Sequence, residues 1–229
     1  MANIILVAGT FHGGWYWDPI LPTLKEAGHN VFTPTLSGLK EENEHKPINL
    51  ETHIEDVLKI IEDNLLADVI LLGWSYAGMV ITGVADRART KIQKLIYLDA
   101  QLPKTGQCEF DLMPEQDRNS TLSECLDGLN IYPNEWLQKY ELRTKPHPLA
   151  TKLQPLNYDQ AKFDSIEKIF IFAEKWFHNP EVISPIKRSY ELASQTPGWE
   201  LHVWPYGHDL VREAPEFVLK LLLEHADSI

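Results

Sequence analysis

The chain has 229 residues, 44% of them hydrophobic and 24% charged, with a formal net charge of -12. That length suits one α/β domain with a modest insertion. The acidic balance argues against nucleic acid and anionic membrane surfaces as partners, because both need a basic face.

In chain order, Asn3 to Val7 is an apolar, β-rich run that predicts a short buried strand. It starts without a basic leader, so no signal peptide is expected. A Gly-rich loop follows, Ala8-Gly9-Thr10-Phe11-His12-Gly13-Gly14-Trp15. Leu21, Leu24 and Ala27 give a short helix stopped by Gly28. His29 to Thr33 is a second strand, and Thr35 to Asn49 a polar surface loop. Ile54, Val57, Leu58, Ile61 and Leu65 recur at helical spacing. Val69 to Leu72 is the third strand, Lys94 to Leu98 the fourth, Lys168 to Ala173 the fifth and Glu200 to Trp204 the sixth. Ala214-Pro215 introduces a closing helix through Phe217, Leu221 and Leu222. Strands alternating with helices predict an α/β fold with a doubly wound, mostly parallel sheet.

Residues 102–160 break that rhythm. Six prolines and the aromatics Phe110, Tyr132, Trp136 and Tyr140 stand there, and no strand pattern does. The stretch is too long for a connector. It reads as a small helical cap over the carboxyl ends of the strands, where ligands bind in open α/β sheets. An extra helical layer without a gating role is the alternative. The expected organisation is a core of residues 1–101 and 161–229 with the cap inserted at 102–160. No apolar run reaches the length of a membrane span. Cys108 and Cys125 could pair but form no dense framework, so two reduced thiols in a cytoplasmic protein are expected.

Chemistry is concentrated at Gly73-Trp74-Ser75-Tyr76-Ala77-Gly78, between the third strand and a helix. Small residues two before the serine and two and three after it mark a tight turn that lifts the hydroxyl above the sheet, a nucleophile elbow. The usual second Gly is Ala77 here, and an ordinary strand-to-helix turn is the bland alternative. A serine needs a base, because its free hydroxyl is hardly ionised at neutral pH. His208, one of nine histidines, sits in Pro205-Tyr206-Gly207-His208-Asp209, after the sixth strand. A carboxylate must then fix the tautomer of the imidazole. Asp99 ends the fourth strand and Glu174 the fifth; Asp99 is preferred and Glu174 stays open. The backbone N–H groups of Thr10 and Tyr76 are the expected oxyanion donors. His12 is expected to brace that loop. Phe11, Tyr76, Trp136 and Trp176 are candidates to line an apolar pocket of small-molecule size. The Gly-rich loop lacks the G-x-G-x-x-G spacing and a Walker Lys, and no H-E-x-x-H or paired Cys motif supports a metal.

With these pieces, the chain resembles the α/β-hydrolase superfamily over nearly its whole length. Leu6 to Trp17 and Leu24 to His29 are similar to the plant methylesterase and hydroxynitrile lyase branch and its bacterial esterase-like relatives. Pro146 to Thr151, Gly207-His208-Asp209 and Glu213-Ala214-Pro215 resemble the bacterial group. The resemblance implies chemistry without a cofactor on small apolar esters, lactones or related carbonyl compounds, and it supports Ser75 and His208. It also marks departures. Ala8 replaces a usual His, and Trp176 stands where plant methylesterases carry the acid, whereas dehalogenase relatives often place theirs where Asp99 is. A hydroxynitrile lyase is expected to carry Thr at Gly9 and Lys at Asp209. The functional expectations are therefore a serine esterase or lactonase, then a lyase, cyclase or acyl-transfer enzyme using the same pocket, then a non-catalytic small-molecule receptor.

Overall fold

The computed structural model describes residues 1–40, 47–177 and 184–227. Strands β1 (Asn3–Val7), β2 (Asn30–Phe32), β3 (Val69–Ser75) and β4 (Ile92–Ala100) alternate with helices α1 (Leu21–Glu26), α2 (Leu50–Asp63) and α3 (Ala77–Arg87). The interval that follows holds the short helices α4 (Glu109–Leu112), α5 (Glu115–Ser123), α6 (Glu135–Tyr140), α7 (Ala150–Leu153) and α8 (Gln160–Asp164). Two two-residue strands, β5 (Asn130–Ile131) and β6 (His147–Pro148), lie among them. The chain then returns through β7 (Glu167–Ala173), α9 (Pro185–Gln195), β8 (Trp199–Trp204), α10 (Leu210–Glu213) and α11 (Pro215–Ala226). The main sheet has the order β2-β1-β3-β4-β7-β8, and every neighbouring pair is parallel.

The alternation of β1 explains why both faces are covered. Ile5 and Val7 enter one buried cluster with Leu50, Ile54, Val57 and Ile61 of α2 and Val80 of α3. Ile4 and Leu6 enter the other, with Leu24 of α1 and Leu221 and Leu222 of α11. A parallel sheet sandwiched by helices buries both sides of its strands, so they read as continuous apolar runs rather than alternating ones. α2 starts at Asn49, whose side chain accepts from the Thr52 N–H. α3 is buried from Ala77 to Ala85 because it crosses the middle of the sheet.

One expectation needs correction. The antiparallel pair β5–β6 joins Asn130 to Pro148 and Ile131 to His147, where no strand was expected. Two residues are too few to display a period of two, so the sequence carries no signal for it. The thiols of Cys108 and Cys125 are separate and free. Burial pushes the Cys108 thiol up. No helix among the described residues is long and apolar enough to cross a membrane.

Candidate active site

The last residue of β3 is Ser75, with φ 57. A left-handed conformation at a residue with a Cβ is held only where its surroundings impose it. The elbow imposes it by close packing. A Cβ at Gly73 would stand 2.8 Å from the Ala77 carbonyl, and one at Gly78 would collide with the Gln101 carbonyl. Position 78 therefore demands glycine, and Ala77 is accommodated as a buried first residue of α3.

Asp99 is brought to the same edge by an irregularity. β3 pairs Trp74 with Leu98 but Ser75 with Ala100, so Asp99 is an extra residue in β4. Its φ is 44. A bulge of this kind re-aims a side chain beside a site. The carboxylate is fully buried. Its Oδ1 accepts from the Ala173 N–H at 2.9 Å, which pins it to the end of β7. Its Oδ2 lies 2.6 Å from His208 Nδ1, and His208 Nε2 lies 2.9 Å from Ser75 Oγ. An ionised carboxylate only accepts, so Nδ1 carries the proton and Nε2 offers its lone pair to the serine hydroxyl. Glu174 is exposed at the start of a helical turn after β7, outside this chain of bonds.

The His208 loop is gripped from two sides. The Trp74 indole N–H donates to the His208 carbonyl at 2.8 Å, and its ring lies 4.9 Å from the imidazole. Trp74 is itself stacked on Tyr16 at 4.0 Å. On the other side, Glu213 Oε2 accepts from the Gly207 N–H at 2.8 Å.

The Gly-rich loop lies directly against Ser75: a Cβ at Gly9 would stand 2.7 Å from Ser75 Cβ. His12 braces this loop as expected, its Nδ1–H donating to the Thr10 carbonyl at 2.7 Å. Burial holds the His12 imidazole below its ordinary pKa. The Thr10 carbonyl is therefore pinned one residue after Gly9, and Tyr76 caps the first turn of α3, where N–H groups lack intrahelical acceptors.

Phe11 is half-buried at φ 69, edge-on to His147 at 6.2 Å. Tyr76 is fully buried. Trp136 is 67% exposed and stacks on Tyr140 at 5.1 Å, so it stands on the outer surface. The side chain of Trp176 lies outside the described residues.

Sequence reasoning passed over His53. It is buried under Tyr76, whose hydroxyl donates to Nδ1 at 3.0 Å, while Nε2–H donates to the Ser37 carbonyl at 2.9 Å. Burial lowers its pKa to about 4. The unfolded chain, with an ordinary value of 6.5, takes up a proton that the folded one refuses. This contribution to stability is therefore complete above pH 6.5 and is lost as pH falls from there to about 4. A shift of that size amounts to about 3 kcal/mol. Urea unfolding between pH 7 and 4 is expected to show this fall in the wild type and a flatter profile in His53→Gln. Equal slopes would remove His53 as the cause.

The family model described as alpha/beta hydrolase fold matches residues 2–200. The chain is 35% identical to a carbendazim hydrolyzing esterase of Nocardioides sp. (strain SG-4G), over 94% of this chain and 96% of that protein. It is 30% identical to the (S)-hydroxynitrile lyase of Manihot esculenta, over 99% and 98% of the two chains. An extracellular alpha/beta-hydrolase from a Paenibacillus species, described as homologous to tobacco salicylic acid binding protein 2, superposes with a TM-score of 0.81 at 21% identity, over 98% of each chain. Elbow, parallel sheet and matched length agree, and the chain belongs to the alpha/beta hydrolase fold family, in its plant methylesterase-like branch.

Proposed function

We propose that the protein is a serine hydrolase that cleaves small apolar carboxylic esters or lactones through an acyl-enzyme on Ser75. The observation that carries this reading is the unbroken series Asp99 to His208 at 2.6 Å and His208 to Ser75 at 2.9 Å. Ser75 Oγ attacks the carbonyl carbon as His208 Nε2 takes its proton, and the same proton then goes to the leaving alkoxide. Asp99 holds the tautomer and stabilises the imidazolium. The N–H groups of Thr10 and Tyr76 receive the oxyanion. A water deprotonated by His208 releases the acid. No step calls for a cofactor or a metal.

Residues 102–160 act as a cap. Three contacts support this: the Lys145 N–H donates to the Phe11 carbonyl at 3.1 Å, Lys152 Nζ to Thr10 Oγ1 at 3.1 Å, and the Tyr140 hydroxyl to Asp209 at 3.4 Å. Each ties the insertion to a loop beside Ser75 or His208. Phe11 then forms part of the pocket wall. Among reactions open to this pocket, hydrolysis through an acyl-enzyme is favoured over cyanohydrin cleavage, which forms none. The Thr expected at position 9 of a lyase would press its Cβ on Ser75, and position 209 is acidic. Two separate thiols suit the reducing cytoplasm.

Incubation with a fluorophosphonate, followed by intact mass, is expected to add one adduct, and an ester and lactone panel to release free acid. A wild-type protein that stays unlabelled and releases no acid would sink the hydrolase reading in favour of a binder.

A further inference from the structure

Behind the Gly-rich loop lies a buried ion pair that the proposed chemistry leaves unused. Lys152 of α7 and Glu109 of α4 are almost wholly removed from solvent. The Lys152 ammonium gives Glu109 two bonds, at 2.7 and 2.9 Å, and Thr10 Oγ1 a third at 3.1 Å. An ammonium has three donors and no acceptor, so the Thr10 hydroxyl is the acceptor of that bond and its side chain is fixed by it. Glu109 Oε1 also accepts from Gln101 Nε2 at 2.8 Å. The Gln101 backbone N–H in turn donates to the Ser75 carbonyl at 3.0 Å. A polar line thus runs from the backbone of the nucleophile, through the end of β4 and two insertion helices, to the loop facing the nucleophile. The ammonium also lies 5.3 Å from the centre of the Tyr76 ring.

Stability alone does not account for such a pair. Desolvation of two buried charges consumes most of their attraction, and an apolar pair of similar volume often serves as well. Its geometry suits positioning instead. Beside the His12 bond to its carbonyl, this second point of attachment holds Thr10 against the drift that the backbone of a Gly-rich loop permits. Resting on the serine-hydrolase reading, we infer that Lys152, held by Glu109, is a positioning residue that sets the Thr10 N–H for the oxyanion through the Thr10 hydroxyl. Docking of the insertion then completes the oxyanion site as well as covering it.

The test is a cycle on the full chain with p-nitrophenyl acetate. It compares wild type, Thr10→Val, the neutralised pair Lys152→Met with Glu109→Gln, and all three changes together. Thr10→Val keeps the N–H and the ion pair, so it reports even if the charge variant folds poorly. Thr10→Val and the neutralised pair are each expected to lose about tenfold to a hundredfold in kcat, with KM changed less than about twofold. The combined variant is expected to be no worse than either parent by more than about twofold, because both remove one attachment. Thr10→Ser restores the hydroxyl that Lys152 bonds and is expected to recover at least about fivefold of the kcat that Thr10→Val loses. Losses that multiply, or a fall in Tm with kcat intact, would overturn the positioning role alone. An inert wild type would overturn the serine-hydrolase reading and this role with it.

Discussion

Ser75→Ala is expected to lower kcat on any ester substrate by about 10⁴- to 10⁶-fold, with the fold intact and fluorophosphonate labelling abolished. The size follows from what is removed. His208, Asp99 and the oxyanion donors survive, but no covalent path remains, and the residual rate comes from binding and the oxyanion site alone. The fold survives because alanine keeps the Cβ and asks for the same left-handed backbone at φ 57. Ser75→Gly makes the complementary test. Glycine adopts that conformation without steric cost, so the nucleophile's strain should reappear as a gain of about 1 kcal/mol in urea unfolding. A labelled, active Ser75→Ala enzyme would place the nucleophile elsewhere. A Ser75→Gly protein less stable than Ser75→Ala would mean that the turn stores no strain at that residue.

How much of this could be read from the residues depended on how local the signal is. The strands of the main sheet are apolar runs because both faces are covered, and the elbow announces itself because its turn tolerates only small side chains. Asp99 was legible as the end of a strand near the serine's edge. The bulge that turns its carboxylate toward His208 was not, because a one-residue slip between β3 and β4 is a property of the pair. His53 and the Lys152–Glu109 pair were invisible for a related reason. His53 finds Tyr76 across 23 positions and Lys152 finds Glu109 across 43, and neither sits in a spacing that predicts contact. α7 has four residues and β6 two, too few for either periodicity to appear. Trp136 shows the opposite weakness: an aromatic in an insertion reads as pocket lining, yet the stacked pair it forms with Tyr140 faces outward.

Asp99→Asn is expected to cost about 10³- to 10⁴-fold in kcat, while Glu174→Gln changes it less than about twofold. The asparagine oxygen can still accept from the Ala173 N–H, so the end of β7 stays in register. Its amide NH₂ then meets His208 Nδ1. Two donors cannot share that 2.6 Å contact, so Nδ1 must give up its proton and Nε2 must hold it. The imidazole then presents a donor to Ser75 Oγ where a lone pair is required. KM should hardly move, since the carboxylate lies buried beneath the imidazole, and fluorophosphonate labelling should slow in step with kcat. Thermal unfolding separates this from general damage: losing a charge-assisted bond costs about 1–3 kcal/mol, too little to unfold the chain at the assay temperature. Glu174, exposed at its turn, offers no substitute at Nδ1. The opposite pattern, a crippled Glu174→Gln and a competent Asp99→Asn, would require the histidine loop to turn toward the end of β7 during catalysis. That turn would have to break the hold of the Trp74 indole on the His208 carbonyl.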